Sequence, residues 1–71
     1  MPSAKARDFQ KVAVLLGFTL KRTSGSHQQW EHPDGRFLTI PVHGSREIGP
    51  PLFFKILRQL DVTLEQFQKM R

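Results

Sequence analysis

The 71 residues carry eleven Lys and Arg against six Asp and Glu, a formal net charge of +5, and no cysteine. A chain this short buries roughly 60% of the surface that its unfolded form exposes; residues 1–71 are expected to form a single small domain, with no disulfide framework or thiolate metal site to staple it. No apolar run approaches the ~20 residues of a membrane span and no apolar leader is visible, so a cytoplasmic chain with no membrane partner is expected; the positive charge favours a polyanionic partner, nucleic acid or an acidic protein.

In chain order, ARDFQKVAVLLG places Phe9, Val12, Ala13 and Leu16 on one apolar face of a helix. Ser3 stands as its N-cap and Gly17 as the glycine after its C-terminus. Arg7 and Lys11 lie one turn apart on its outer side. FTLKRT alternates Phe18 and Leu20 with Thr19 and Lys21 and reads as a strand. SGS breaks it. SHQQWEH reads as a second strand with one exposed face. Pro33-Asp34-Gly35 is a turn, because Pro presets φ and Gly tolerates positive φ. RFLTIPV is a third strand, and Pro41, lacking an N–H, places its end at a sheet edge. The loop HGSREIGPP opens a helix at Pro50 or Pro51, with Leu52, Phe53, Ile56, Leu57 and Leu60 as the buried stripe. Thr63-Leu64-Glu65-Gln66 fits a capping box for a short last helix, with Leu64 and Phe67 as its apolar contacts.

The order α-β-β-β-α predicts an α+β fold: a three-stranded antiparallel meander with helices on one face. That is the topology of double-stranded RNA-binding domains, and it leaves the other face of the sheet to solvent or a partner. Alternation then sorts the side chains. Phe18, Leu20, Trp30, Leu38 and Ile40 point to the helices. His27 points to the open face with Gln29, Glu31, Lys21, Thr39 and Phe37, unless a bulge follows Gly25.

The chemistry open to these residues is narrow. There is no Gly-x-Ser-x-Gly elbow, and Ser26 and His27, adjacent in a strand, point apart. His27, His32 and His43 match no compact ligand spacing, so no metal is expected. No Gly-rich phosphate loop is present, so no nucleotide cofactor is expected either. RNA cleavage asks for less. The ribose 2′-OH is a built-in nucleophile, and the protein need only move protons and stabilise the phosphorane's charge, without metal. His27 is a group that titrates near neutrality, and Lys21, Arg22 and Arg36 are the nearest cations for a phosphate. By the residues alone, a lone exposed histidine such as His27 is usually an ordinary surface side chain. Trp30 reads as core, His32 as a turn residue and His43 as a hydrogen bond fixing its loop. Phe54, out of phase with its helix stripe, is a candidate partner contact.

Gly17-Phe18, Arg22, Gly25-Ser26-His27, Asp34-Gly35, Pro41-Val42-His43, Gly49-Pro50 and Ile56-Leu57 follow one another in an order and spacing that is more specific than any single piece. In this the chain, from Leu15 to Thr63, resembles the HicA family of toxin–antitoxin modules, small mRNA interferases. Pro50-Pro51 departs from the family's commoner Gly-Thr-like helix start. The resemblance implies a fold like the double-stranded RNA-binding domain and ribosome-independent endonuclease cleavage of mRNA. It implies the histidine of Gly-Ser-His, here His27, as the single catalytic residue. It also implies a HicB-type antitoxin that binds the toxin and masks its active site. Gly25 and Ser26 join the candidate RNA-binding positions, since Gly25 lets the backbone approach a phosphate closely. The alternatives are a non-catalytic RNA-binding module of the same fold, which binds with steep salt dependence and leaves RNA intact, and a protein whose basic surface meets only an acidic antitoxin.

Overall fold

The computed structural model describes residues 2–71. Its elements are β1 (Ala4–Lys5), α1 (Ala6–Leu15), β2 (Thr19–Ser24), β3 (His27–Glu31), β4 (Phe37–Pro41), β5 (Glu47–Ile48), α2 (Leu52–Leu60) and α3 (Leu64–Met70). β2, β3 and β4 form a three-stranded antiparallel sheet in chain order, and β1 pairs with β5 in a separate two-stranded ribbon. The expected α-β-β-β-α order is therefore present, with the ribbon added to it. Two-residue strands contain no period, so no alternation could announce them.

The ribbon moves the start of α1. Ala4 pairs with Ile48 and Lys5 with Glu47, which keeps the chain extended up to Lys5. Lys5, not Ser3, is the N-cap, and its N–H donates to Asp8 Oδ2 at 3.0 Å. Ser3 Oγ donates to Glu47 Oε1 at 3.3 Å instead. Asp8 also pairs with Arg71 at 3.0 Å, which ties the end of the chain to the first turn of α1. At the other end, Gly17 N–H donates to Val14 O at 3.1 Å and Phe18 N–H to Ala13 O at 2.9 Å. This is the Schellman arrangement, and it requires the positive φ of +96° that Gly17 supplies. Thr63 and Gln66 form the expected capping box at α3: Gln66 N–H donates to Thr63 Oγ1 at 3.1 Å and Thr63 N–H to Gln66 Oε1 at 2.9 Å.

Three phenylalanines, each on a different helix, join the helical layer. Phe9 and Phe67 stack at 5.0 Å, and Phe53 meets both edge-on at 5.6 Å. Trp30, Leu38 and Ile40 close the core from the sheet, with Phe18 beside them. Alternation holds for β3 and β4 but not for β2, in which every residue is exposed. Leu20 faces the same side as its cross-strand partner Trp30, yet stays 46% exposed. The reason is position: β2 is an edge strand, while α1 and α2 pack over β4 at the other edge. The α2 stripe is Phe53, Ile56, Leu57 and Leu60; Leu52 falls outside it, and Leu64 on α3 is exposed in the same way.

Candidate functional site

Register sets the open face. In the β3–β4 ladder, His27 is opposite Pro41, Gln29 opposite Thr39 and Glu31 opposite Phe37. The alternate residues face the helices, as Gln28 shows by accepting a 2.7 Å hydrogen bond from Gln10 Nε2 on α1. Val42 N–H donates to Ser26 O at 2.6 Å. His27 and Pro41 are therefore the next, non-hydrogen-bonded pair, whose Cα atoms approach to about 4.5 Å. His27 is exposed, as alternation predicts. Pro41 has no N–H to offer the free edge of β4, and the Thr39 N–H on that edge is capped by Gln59 Oε1 at 3.3 Å.

Gly25 and Ser26 form the two-residue turn between β2 and β3, with Ser24 opposite His27. Gly25 has φ +59°, the conformation such hairpin turns need. No bulge follows it. The irregularity lies earlier, between Leu20 and Arg22, where Lys21 has no residue opposite. This extra residue puts two consecutive cations on one face. Lys21 Nζ lies 3.8 Å from Glu31 Oε1, and Arg22 Nε donates to Gln29 Oε1 at 3.0 Å. Both partners are open-face residues of β3, whereas strict alternation would have sent Lys21 and Arg22 to opposite faces.

A cleft of about 570 Å³ opens from this face across the edge of β4. His27, Thr39 and Pro41 form its strand wall, and His43 and Arg46 belong to the loop that follows β4. Leu52, Lys55 and Gln59 form its helical wall. They are spaced i, i+3 and i+7, so α2 has a second face beside its core stripe. The rim at Glu47 and Ile48 is held by the ribbon with β1. The rings of His27 and His43 stand 6.3 Å apart and nearly perpendicular, at 86°. The His43 side chain does not fix its loop; the backbone does so, Arg46 N–H donating to His43 O at 3.3 Å. Lys55 reads from the sequence as an outward-facing basic residue on α2, whereas Gln59 and Arg46 carry no motif. For Gln59 the available signal is its i, i+3, i+7 spacing with Leu52 and Lys55.

Arg36 lies elsewhere. It precedes β4, and His27 pairs with the last residue of that strand, a separation of roughly 16 Å at 3.3 Å per residue. Its guanidinium donates to Asp34 Oδ2 at 2.8 Å and to Leu60 O at 3.0 Å, and rests 5.1 Å from the centre of the Phe18 ring. His32 is nearby. Its Nε2–H donates to Leu16 O at 2.9 Å, and its Nδ1 stands 3.1 Å from Asp34 N and 3.0 Å from Asp34 Oδ1. The Asp34 carboxyl is held below its ordinary range, first by the Arg36 backbone N–H, then by the Arg36 guanidinium and His32. The structure thus brings together His27, Gly25 and Ser26, with Arg22 two residues along the open face at Gln29; Lys21 shares that face but reaches Glu31 at the far end of β3, and Arg36 is kept apart from His27.

Among the described residues no three His, Asp or Glu side chains gather as a metal site would require. No described helix is long and apolar enough to cross a membrane. A search of curated proteins finds no match. Residues 6–62 match a family model described as the HicA toxin of bacterial toxin–antitoxin systems. That span runs from the start of α1 past the end of α2 and includes the hairpin, both cleft histidines and the helical wall of the cleft. The chain belongs to the HicA toxin family.

Proposed function

We propose that this chain is the toxin of a type II toxin–antitoxin module and that it cuts mRNA as a ribosome-independent endonuclease, with His27 moving the proton. The observation that carries this reading is the placement of His27: exposed, first in its strand, at the mouth of a cleft and on the face that also presents Lys21 and Arg22. In the reaction the 2′-oxygen attacks phosphorus, the bond from phosphorus to the 5′-oxygen breaks, and a 2′,3′-cyclic phosphate and a 5′-OH result. The nucleophile belongs to the substrate, so His27 need only act as general base or general acid, and no cofactor enters the scheme.

The cations are available to successive phosphates of a strand laid along the open face. The Lys21–Glu31 pair is exposed and 3.8 Å long. Such pairs contribute about 0–1 kcal/mol, so Lys21 exchanges its carboxylate for a phosphate at little cost. Arg22 uses Nε for Gln29 and keeps both terminal nitrogens for a non-bridging oxygen pair. Gly25 and Ser26 offer backbone at the turn beside them. An mRNA substrate places the activity in the cytoplasm, and a HicB-type antitoxin covering the open face is the partner that would silence it.

The test is a cleavage assay on purified RNA. His27→Ala is expected to lower cleavage by about 10²–10⁴-fold with an unchanged melting temperature, because the side chain is exposed. Full activity is expected in chelator. A variant that cuts as fast as the parent removes His27 from the mechanism, and complete loss in chelator, restored by a divalent ion, removes the metal-free scheme. One observation favours the second reading, an RNA-binding module without catalysis: Phe37 stands 69% exposed on the open face, where an aromatic ring offers a base-stacking platform. On a denaturing gel that reading leaves RNA intact while binding remains salt-sensitive.

A further inference from the structure

We propose that His43 is a second catalytic residue, forming with His27 an acid–base pair across the cleft; this rests on the reading of the chain as a ribonuclease. Transphosphorylation moves two protons, one from the 2′-OH and one to the departing 5′-oxygen. In-line attack places these oxygens on opposite sides of phosphorus. A single imidazole serves one of them directly and leaves the other to water.

The cleft holds few groups able to take the second role. The chain has no cysteine or tyrosine. Lys55 carries an ammonium with three donors and no acceptor and suits the phosphate charge better than a proton transfer. Glu47 accepts from Ser3 Oγ at 3.3 Å and is fixed in the β1–β5 ribbon. His43 remains, an imidazole that can either donate or accept a proton. Among the described residues neither its ring nor that of His27 is engaged in a hydrogen bond, in contrast to His32, which uses both ring nitrogens.

Their separation fits the task. Ring centroids 6.3 Å apart are too distant for the two imidazoles to bond each other. They are close enough for hydrogen bonds of about 2.8 Å to opposite sides of one phosphoryl group. The placement follows from register. Pro41 is opposite His27, and His43, two residues on in a chain leaving the strand, returns to the same side. The Val42-to-Ser26 hydrogen bond between them holds that exit in place.

The step balances. The bond from the 2′-oxygen to phosphorus forms as one imidazole takes the 2′-OH proton, and the bond to the 5′-oxygen breaks as the other, entering as imidazolium, protonates it. The pair leaves with its protonation exchanged and resets through solvent.

The experiment uses the full chain and a synthetic RNA that the wild type cuts, under single-turnover conditions. His43→Gln is expected to slow cleavage by about 10²–10³-fold, with RNA affinity and melting temperature unchanged. The wild-type rate is expected to be bell-shaped in pH, and each of His43→Gln and His27→Gln to lose one limb. A substrate carrying sulfur in place of the bridging 5′-oxygen has a leaving group that departs without protonation. It is expected to restore one of the two variants, the one lacking the acid, and not the other. Cleavage by His43→Gln within about threefold of wild type overturns the proposal, as does a pH profile that keeps both limbs, or equal rescue of both variants. If the wild type binds RNA and never cuts it, the ribonuclease reading itself fails and the pair falls with it; the sulfur substrate is informative only when that first result is positive.

Discussion

At one end of the β3–β4 ladder His32, Asp34 and Arg36 close on one another and on the ends of two helices, through Leu16 O and Leu60 O. At the other end His27, His43 and Arg22 point into solvent or a cleft, and their contacts with the rest of the protein are few and exposed. The two ends draw on the same side-chain types. What separates them is whether backbone groups in need of partners lie within reach. The helix C-termini at the His32 end leave carbonyls that a histidine and an arginine can satisfy. At the His27 end the hairpin turn and the Pro41 edge leave little to satisfy, so the polar side chains remain free for a ligand.

Exchanging the damage between the ends is the sharpest test. While His27→Ala is expected to remove activity and leave stability, His32→Ala is expected to do the reverse. It strands the Leu16 carbonyl and the Asp34 N–H, a loss of about 1–3 kcal/mol, or about 4–8 °C of melting temperature per kcal/mol in a domain of this size. Cleavage per folded molecule stays at the wild-type level; a His32→Ala protein that is stable and inactive would erase the distinction.

Gly17→Ala strikes the same end through the backbone. The position has φ +96°, and an added Cβ would lie 3.2 Å from His32 Nε2. The expected loss is about 1–3 kcal/mol, read as a lower midpoint in urea. An unchanged midpoint would mean that the helix stop is not strained by a side chain.

The arginines give a subtler contrast. Arg36→Gln removes the bonds to Leu60 O and Asp34 and the stacking on Phe18. It is expected to cost about 1 kcal/mol and to leave the salt dependence of RNA binding intact. Arg22→Gln is expected to leave stability intact and to reduce the slope of log K against log salt by about 0.7, the value for one phosphate on a single strand. Equal slopes for the two variants would show that both ends touch RNA.

The smallest effect belongs to Asp34. Its carboxyl titrates below the ordinary aspartate range because the Arg36 backbone N–H, and then the guanidinium, favour the ionised form. A folded-state pKa below the unfolded one means stability that is present above the ordinary aspartate value and is lost as pH falls through the depressed one. Asp34→Asn is therefore expected to lower the melting temperature slightly at neutral pH and to make no difference in strong acid. A variant difference that persists in acid would assign the stabilisation to another group.

The order of elements, the helix stop at Gly17, the Thr63 capping box and the inward course of Trp30, Leu38 and Ile40 were legible in the sequence alone. So was the outward course of His27. Each rests on a repeat of two or 3.6 residues, or on backbone chemistry within four residues of chain. Tertiary structure alone decided the rest. It put Leu20 on an edge strand that the helices do not cover, and it bulged that strand so that Lys21 and Arg22 share a face. It drew Lys5 into a ribbon with Glu47 and so displaced the cap from Ser3. It tied Arg36 to Asp34 and Leu60 O, left Arg22 on the open face, and stood His43 beside His27. Each of these outcomes depends on which strand lies at an edge or on a partner distant along the chain, and a local pattern carries neither.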